Sequence, residues 1–186
     1  VSGSYDATGE HTGDVMDTSS SSHSDSDADA SASLVVSAIR TGRESAAAAT
    51  FVDSKSVQGN IPTGLAFNTD GTKMFVTNVT NDDIDEYTLS TGFDVSTASY
   101  DSNFSVASQD GGPQGIAFNT DGTKMFIGGK DNGKVFEYTL STGFDVSTAS
   151  FVDGFSISSQ ETHISDLAFS TDGTKMFVVG TNSTSV

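Results

Sequence analysis

Gly64-Leu65-Ala66-Phe67-Asn68-Thr69-Asp70-Gly71-Thr72-Lys73-Met74-Phe75 is written again from Gly115 to Phe126 and a third time from Asp166 to Phe177, each copy beginning 51 residues after the last. Within it a short apolar run, Leu65-Ala66-Phe67, meets Asn68-Thr69-Asp70-Gly71 and then a second apolar run from Met74. Asn and Asp bond to nearby backbone and Gly accepts positive φ, so the polar centre reads as a tight hairpin turn between two strands. A period of about 50 residues built of short strands has the size of one four-stranded propeller blade, whereas helical solenoid units run at about 33 to 47 residues. The expected fold class is therefore all-β, with β-propeller blades of four antiparallel strands and a 51-residue repeat.

Outward from the hairpin, Pro62-Thr63-Gly64 turns into an inner strand A at Leu65–Asn68, and strand B runs Lys73–Asn78. Strand C is Ile84–Leu89, with Ile84, Glu86 and Thr88 facing one way and Asp85, Tyr87 and Leu89 the other. Asp94 is placed to cap a brief helical turn over Val95–Ser99, and Tyr100–Val106 forms the outer strand D. The second repeat copies the first: Glu137 to Ser150 is identical to Glu86 to Ser99. The expected division is an arm at 1–33, a C–D half blade at 34–61, blades at 62–112 and 113–163, and an A–B half blade at 164–186. Such complementary halves suit closure by exchange between two chains, as a ring or a filament, or completion by missing blades of a longer chain.

Residues 1–33 are dominated by Ser, Asp, Thr, Gly and Ala, too few apolar groups to offset the entropy of ordering, and read as a flexible arm. In that arm Asp25, Asp27 and Asp29 alternate like calcium-loop carboxylates, but Ala30 and Val36 stand where the loop's glycine and glutamate belong, and a solvated acidic linker is the plainer reading. Val1 and the missing basic-then-apolar leader read as a processing boundary.

The 186 residues carry 25 acidic and 8 basic side chains, a formal charge of -17, and no Cys. That charge speaks against nucleic acid and anionic membrane surfaces as partners. Zero Cys removes disulfides and thiolate chemistry. No apolar run is long enough for a membrane-spanning helix.

Pro62 to Asn78, with its Gly-Leu-Ala-Phe strand, Asp-Gly turn and Phe-Val-Thr-Asn strand, resembles the repeat of YVTN-type and NHL-type β-propellers. The resemblance covers about residues 34–186 and departs from the pattern with Thr69, Thr120 and Thr171 where Pro is common, and with Gly128-Gly129 for Thr-Asn. It implies a propeller fold; its functions range from surface-layer proteins, adhesins and phage-associated proteins to lyases and hydrolases.

Asp70, Asp121 and Asp172 recur as turn-formers, and Lys73, Lys124 and Lys175 are expected to be solvated. Catalysis needs distinct groups around one reacting atom, and the repeat breaks at Glu161-Thr162-His163-Ile164-Ser165-Asp166. Glu161, His163 and Asp166 are therefore the candidate ligand-binding residues, with a solvated loop as the alternative. Asn78, Asn103 and Asn182 head glycosylation sequons. The expectation is a non-enzymatic extracellular or surface-exposed propeller, without cofactor, that builds an assembly or presents a face to a glycan or protein. The alternatives are a virion fibre or receptor-binding component and a propeller lyase or hydrolase with a channel metal.

Overall fold

The hairpins at the repeated Asp-Gly turns set the architecture. In the computed structural model of the chain, Thr72 N donates to Asp70 Oδ1 at 3.0 Å, and Gly71 takes φ 73°. Asp121 and Asp172 repeat the same bond to Thr123 and Thr174, each at 3.0 Å. The structure describes the backbone of residues 33–37 and all of residues 51–182. The candidates Asp25, Asp27 and Asp29 lie outside the described residues.

Twelve strands are described, all within one unit, Ala32–Val186. They are β1 (Ser33–Ser37), β2 (Phe51–Ser56), β3 (Pro62–Phe67), β4 (Lys73–Asn78), β5 (Asp83–Leu89), β6 (Ala98–Ser105), β7 (Pro113–Phe118), β8 (Lys124–Gly129), β9 (Lys134–Leu140), β10 (Ala149–Ser156), β11 (Ile164–Phe169) and β12 (Met176–Gly180). They form two four-stranded antiparallel sheets, β3-β4-β5-β6 and β7-β8-β9-β10, and two two-stranded ones, β1-β2 and β11-β12. Strand A opens at Pro62, earlier than expected, with a bulge between Pro62 and Gly64. The helical turn is a 3-10 turn over Val95–Thr97, and Ser96 N donates to Asp94 Oδ1 at 3.1 Å, as the Asp94 position implies.

The inner strands β3, β7 and β11 stand side by side. They approach so closely that a Cβ on Gly64 would overlap Gln114 O, and one on Gly115 would lie 2.7 Å from Asp166 Cα. Between the two full blades, Phe75, Ile84, Val106, Ile116, Met125, Ile127, Phe136, Tyr138, Leu140 and Val146 make one buried cluster. Each large apolar side chain removed from water there contributes about 1.5–3 kcal/mol.

Polar contacts lock the same seam. Lys73 pairs with the buried Glu86, its Nζ donates to Phe144 O at 2.9 Å, and Glu86 Oε2 accepts from Val146 N at 2.8 Å. Lys73 is therefore drawn into the interface, contrary to the solvated expectation, because the next blade offers it a carbonyl. Lys124 pairs with Glu137 at 2.6 Å and stays exposed.

Candidate functional site

Strand C carries the chemistry. Its alternation puts Asp83, Asp85, Tyr87 and Leu89 on one face of β5, and both carboxylates are buried, Asp85 to 1% exposure. The corresponding positions of the second blade hold Lys134, Phe136, Tyr138 and Leu140. A blade thus forms without the acidic pair, and burying the two carboxylates carries a desolvation cost that the fold does not require.

Asn103 Nδ2 donates to Asp83 Oδ2 at 2.8 Å, while Asp83 Oδ1 is buried with no hydrogen-bond partner among the described residues. Asn78 Nδ2 sits 3.5 Å from Asp85 Oδ2 and donates to Gln58 O at 3.1 Å. Gln58 N donates to Tyr87 Oη at 2.6 Å, so the loop entering β3 lies across this face. Burial, and then the neighbouring Asp83 charge, pushes the Asp85 carboxyl up to about 6. Burial also raises Asp83, opposed by the Asn103 hydrogen bond, and lifts the Tyr87 hydroxyl to about 12. A carboxyl poised near neutrality beside a second carboxyl and two carboxamide donors can take up and return a proton.

Further carboxylates ring the same loops. Asp82 adopts φ 54°, a left-handed conformation that Gly133 takes in the second blade at φ 56°. A Cβ on Gly111 would lie 2.9 Å from Asp131 Oδ2 and 3.9 Å from Asp82 Oδ2. Asp110 is buried and raised, chiefly by that burial; Gly112 N donates to its Oδ1 at 2.8 Å, and its Oδ2 has no hydrogen-bond partner among the described residues. Among the described residues no three of His, Asp and Glu are gathered closely enough to hold a metal ion.

The trio singled out by sequence does not converge on one point through the hydrogen bonds it makes. Glu161 is buried, and its Oε1 accepts from Thr162 N and His163 N at 2.8 Å and from Asn182 N at 3.2 Å, tying the loop to the end of β12. His163 Nδ1 meets the Asn182 carboxamide and Thr162 Oγ1. Asp166 is exposed and accepts from Leu167 N at 2.8 Å, on the strand position that Gly64 and Gly115 occupy in the other blades. Of the sequon asparagines, Asn78 is buried, whereas Asn103 and Asn182 are exposed. Asp83 and Asp85 escaped sequence reasoning, although the signal was there: Asp83-Ile84-Asp85 stands against Lys134-Val135-Phe136 in an otherwise copied strand.

No protein-family model matches the chain, and no curated protein matches it. Solved structures do. The chain is similar to a candidate 6-phosphogluconolactonase from Bacteroides uniformis ATCC 8492, with a TM-score of 0.51 and 16% identity over 64% of this chain and 33% of that one. A second candidate 6-phosphogluconolactonase, from Bacteroides fragilis NCTC 9343, gives 0.50 and 16% over 70% and 34%. A β-propeller domain from Myceliophteria thermophila gives 0.51 and 12% over 72% and 41%. The fold is of the β-propeller type. The chain spans 33% to 41% of the length of these three structures.

This company corrects the expectation of a non-enzymatic structural role. Two of the three structures are described as candidate 6-phosphogluconolactonases, and the third as a β-propeller domain. At this identity the likeness carries the fold, and the chemistry rests on the chain's own residues.

Proposed function

We propose that the chain contributes blades to a propeller hydrolase, and that the Asp83–Asp85 pair handles the proton in the addition of water to a small neutral ring ester. The observation that carries this reading is the buried Asp85, raised to about 6 and absent from the matching strand of the second blade. The resemblance to YVTN-type and NHL-type repeats belongs to the same proposal, since that group includes hydrolases, and the ring-ester class follows the description of two of the structural relatives.

The ionised Asp85 takes a proton from a water molecule as its oxygen attacks the ester carbonyl carbon. The same proton passes to the ring oxygen as the carbon–oxygen bond breaks, leaving a hydroxy acid and restoring the carboxylate. Burial, and then the Asp83 charge, keep the Asp85 proton affinity high, and the carboxamides of Asn78 and Asn103 hold the pair in place. The loop at Gln58 covers this face, so substrate enters when that loop lifts. A formal charge of -17 favours a neutral lactone over a phosphorylated one.

The test follows hydrolysis of glucono-δ-lactone and its 6-phosphate at pH 5–7, above the spontaneous rate, by the 186-residue chain and its Asp85→Asn variant. The expected result is faster turnover of the neutral lactone, rising with pH through about 6 and lowered about 100-fold or more by the substitution. No rate above the spontaneous one, or equal rates for the variant, would overturn the reading.

A further inference from the structure

The two full blades show what a finished seam looks like, and the β11–β12 hairpin shows the same seam half made. In the second blade Phe144 takes φ 59°, which turns its ring back over Gly122, where a Cβ would collide with it. The ring joins Phe118 at 5.4 Å and Phe75 of the preceding blade at 6.3 Å, completing a three-ring cluster. In the first blade Phe93, at φ 61°, lies over Gly71 in the same way and meets Phe67 at 5.5 Å.

At the third repeat, Phe126 and Phe169 pair at 4.6 Å like Phe75 and Phe118, but among the described residues nothing lies within 4 Å of the Cβ position of Gly173. A cavity of about 450 Å³ opens there, lined among others by Phe118, Lys124, Phe126, Phe169 and Gly173. The polar half of the seam waits alongside. Lys73 and Glu86 grip Phe144 O and Val146 N, whereas their counterparts Lys124 and Glu137 are 49% and 30% exposed. Among the described residues strand β12 pairs on one side, with β11, and it carries exposed Phe177 and Val179.

We infer that this open edge is a docking surface for a strand C–strand D hairpin of the same repeat, whose turn presents Gly-Phe-Asp-Val. Its Phe fills the space over Gly173 between Phe126 and Phe169. The carbonyl of that Phe receives Lys124, the amide of the following Val donates to Glu137, and its first strand pairs with β12. The segment Gly42-Arg43-Glu44-Ser45 of a second copy is the weaker occupant, because Arg43 stands where the slot takes Phe and Ser45 where it takes Val.

The experiment appends a second copy of residues 136–156 after Val186, so that the hairpin follows β12 at the spacing of the earlier repeats, with Ser185 and Val186 standing where Lys134 and Val135 stand. Thermal unfolding should rise by about 10 °C. The gain should be lost when the appended Phe is changed to Ala, and reduced by Glu137→Gln in the body of the chain. In a second measurement, a labelled peptide of residues 134–156 should bind the unextended chain at least about tenfold more tightly than its Phe-to-Ala form. An extended chain no more stable than the original, the same gain from the Ala form, or tighter binding by a peptide of residues 33–56 would each overturn the inference. The last result would assign the surface to exchange between copies.

Discussion

Asp110 occupies the space that a side chain at position 129 would need: a Cβ on Gly129 would lie 2.5 Å from Asp110 Oδ1. The first blade inverts the arrangement, with Asn78 supplying the side chain and Gly59 leaving room for it. The third repeat follows the second, with Glu161 filling the space over Gly180. In each repeat one side chain, from either partner, bridges the incoming loop and the end of strand B. Gly129→Asn alone should therefore destabilise the chain by about 2–3 kcal/mol through overpacking against a buried carboxylate. Adding Asp110→Gly should recover most of that loss, since the pair then matches Gly59 and Asn78. Urea unfolding of the two single variants and the double variant gives the coupling; strictly additive effects would reject the reciprocity.

The seam between the full blades should respond sharply to its central ring. Phe144→Ala removes the group that joins Phe75, Phe118 and Gly122, and should cost about 3 kcal/mol. Phe93→Ala, at a ring that is 59% exposed, should cost about 1 kcal/mol or less in the same unfolding assay.

Lys73→Ala leaves the buried Glu86 without its cation and should cost about 2–4 kcal/mol. The identical substitution one repeat later, Lys124→Ala, breaks an exposed pair and should cost less than about 1 kcal/mol. Equal losses in chemical denaturation would mean that the two clamps are not distinguished by burial.

Because Asp83, Asp85 and Asp110 titrate higher in the folded chain than in the unfolded one, the folded state binds more protons over the intervening range. Their joint effect is a stability that falls as pH rises, for Asp85 between about 4 and about 6. Asp70, Asp121 and Asp172 act in the opposite sense: hydrogen bonds from Thr72, Thr123, and Ser170 with Thr174 hold them low, and their contribution is lost in acid. Asp85→Asn should stabilise the chain at pH 7 by on the order of 1 kcal/mol and flatten the pH dependence of the urea midpoint between about 4 and about 6. A variant less stable than the parent at pH 7 would contradict the assigned direction.

The hairpins and strand C were legible because they follow local rules. Asp70 with Gly71, and Asp94 before Val95, act on residues two positions away, which a sequence displays directly. The seam was not legible, because Lys73 reaches Phe144 O across 71 residues and Glu86 reaches Val146 N across 60. The acidic pair lay between these cases. Asp85 was placed on the Tyr87 face, but its proton affinity depends on burial beneath Gln58, a tertiary fact. Glu161 is a break in the repeat that the sequence displays, but its place over Gly180 and its bond from His163 N are tertiary facts.

That steric exchange bears on how near-identical segments find their proper places during folding. Strand B of one repeat could offer itself to the loop of another, since the hairpins are almost interchangeable. Asn78 set against Asp110 would put two side chains into one volume, and Gly129 set against Gly59 would leave a hole. Wrong pairings thus clash or leave a void at the end of strand B. The placement of bulk serves as an address that separates the first blade from the two after it, which their backbones alone could not do.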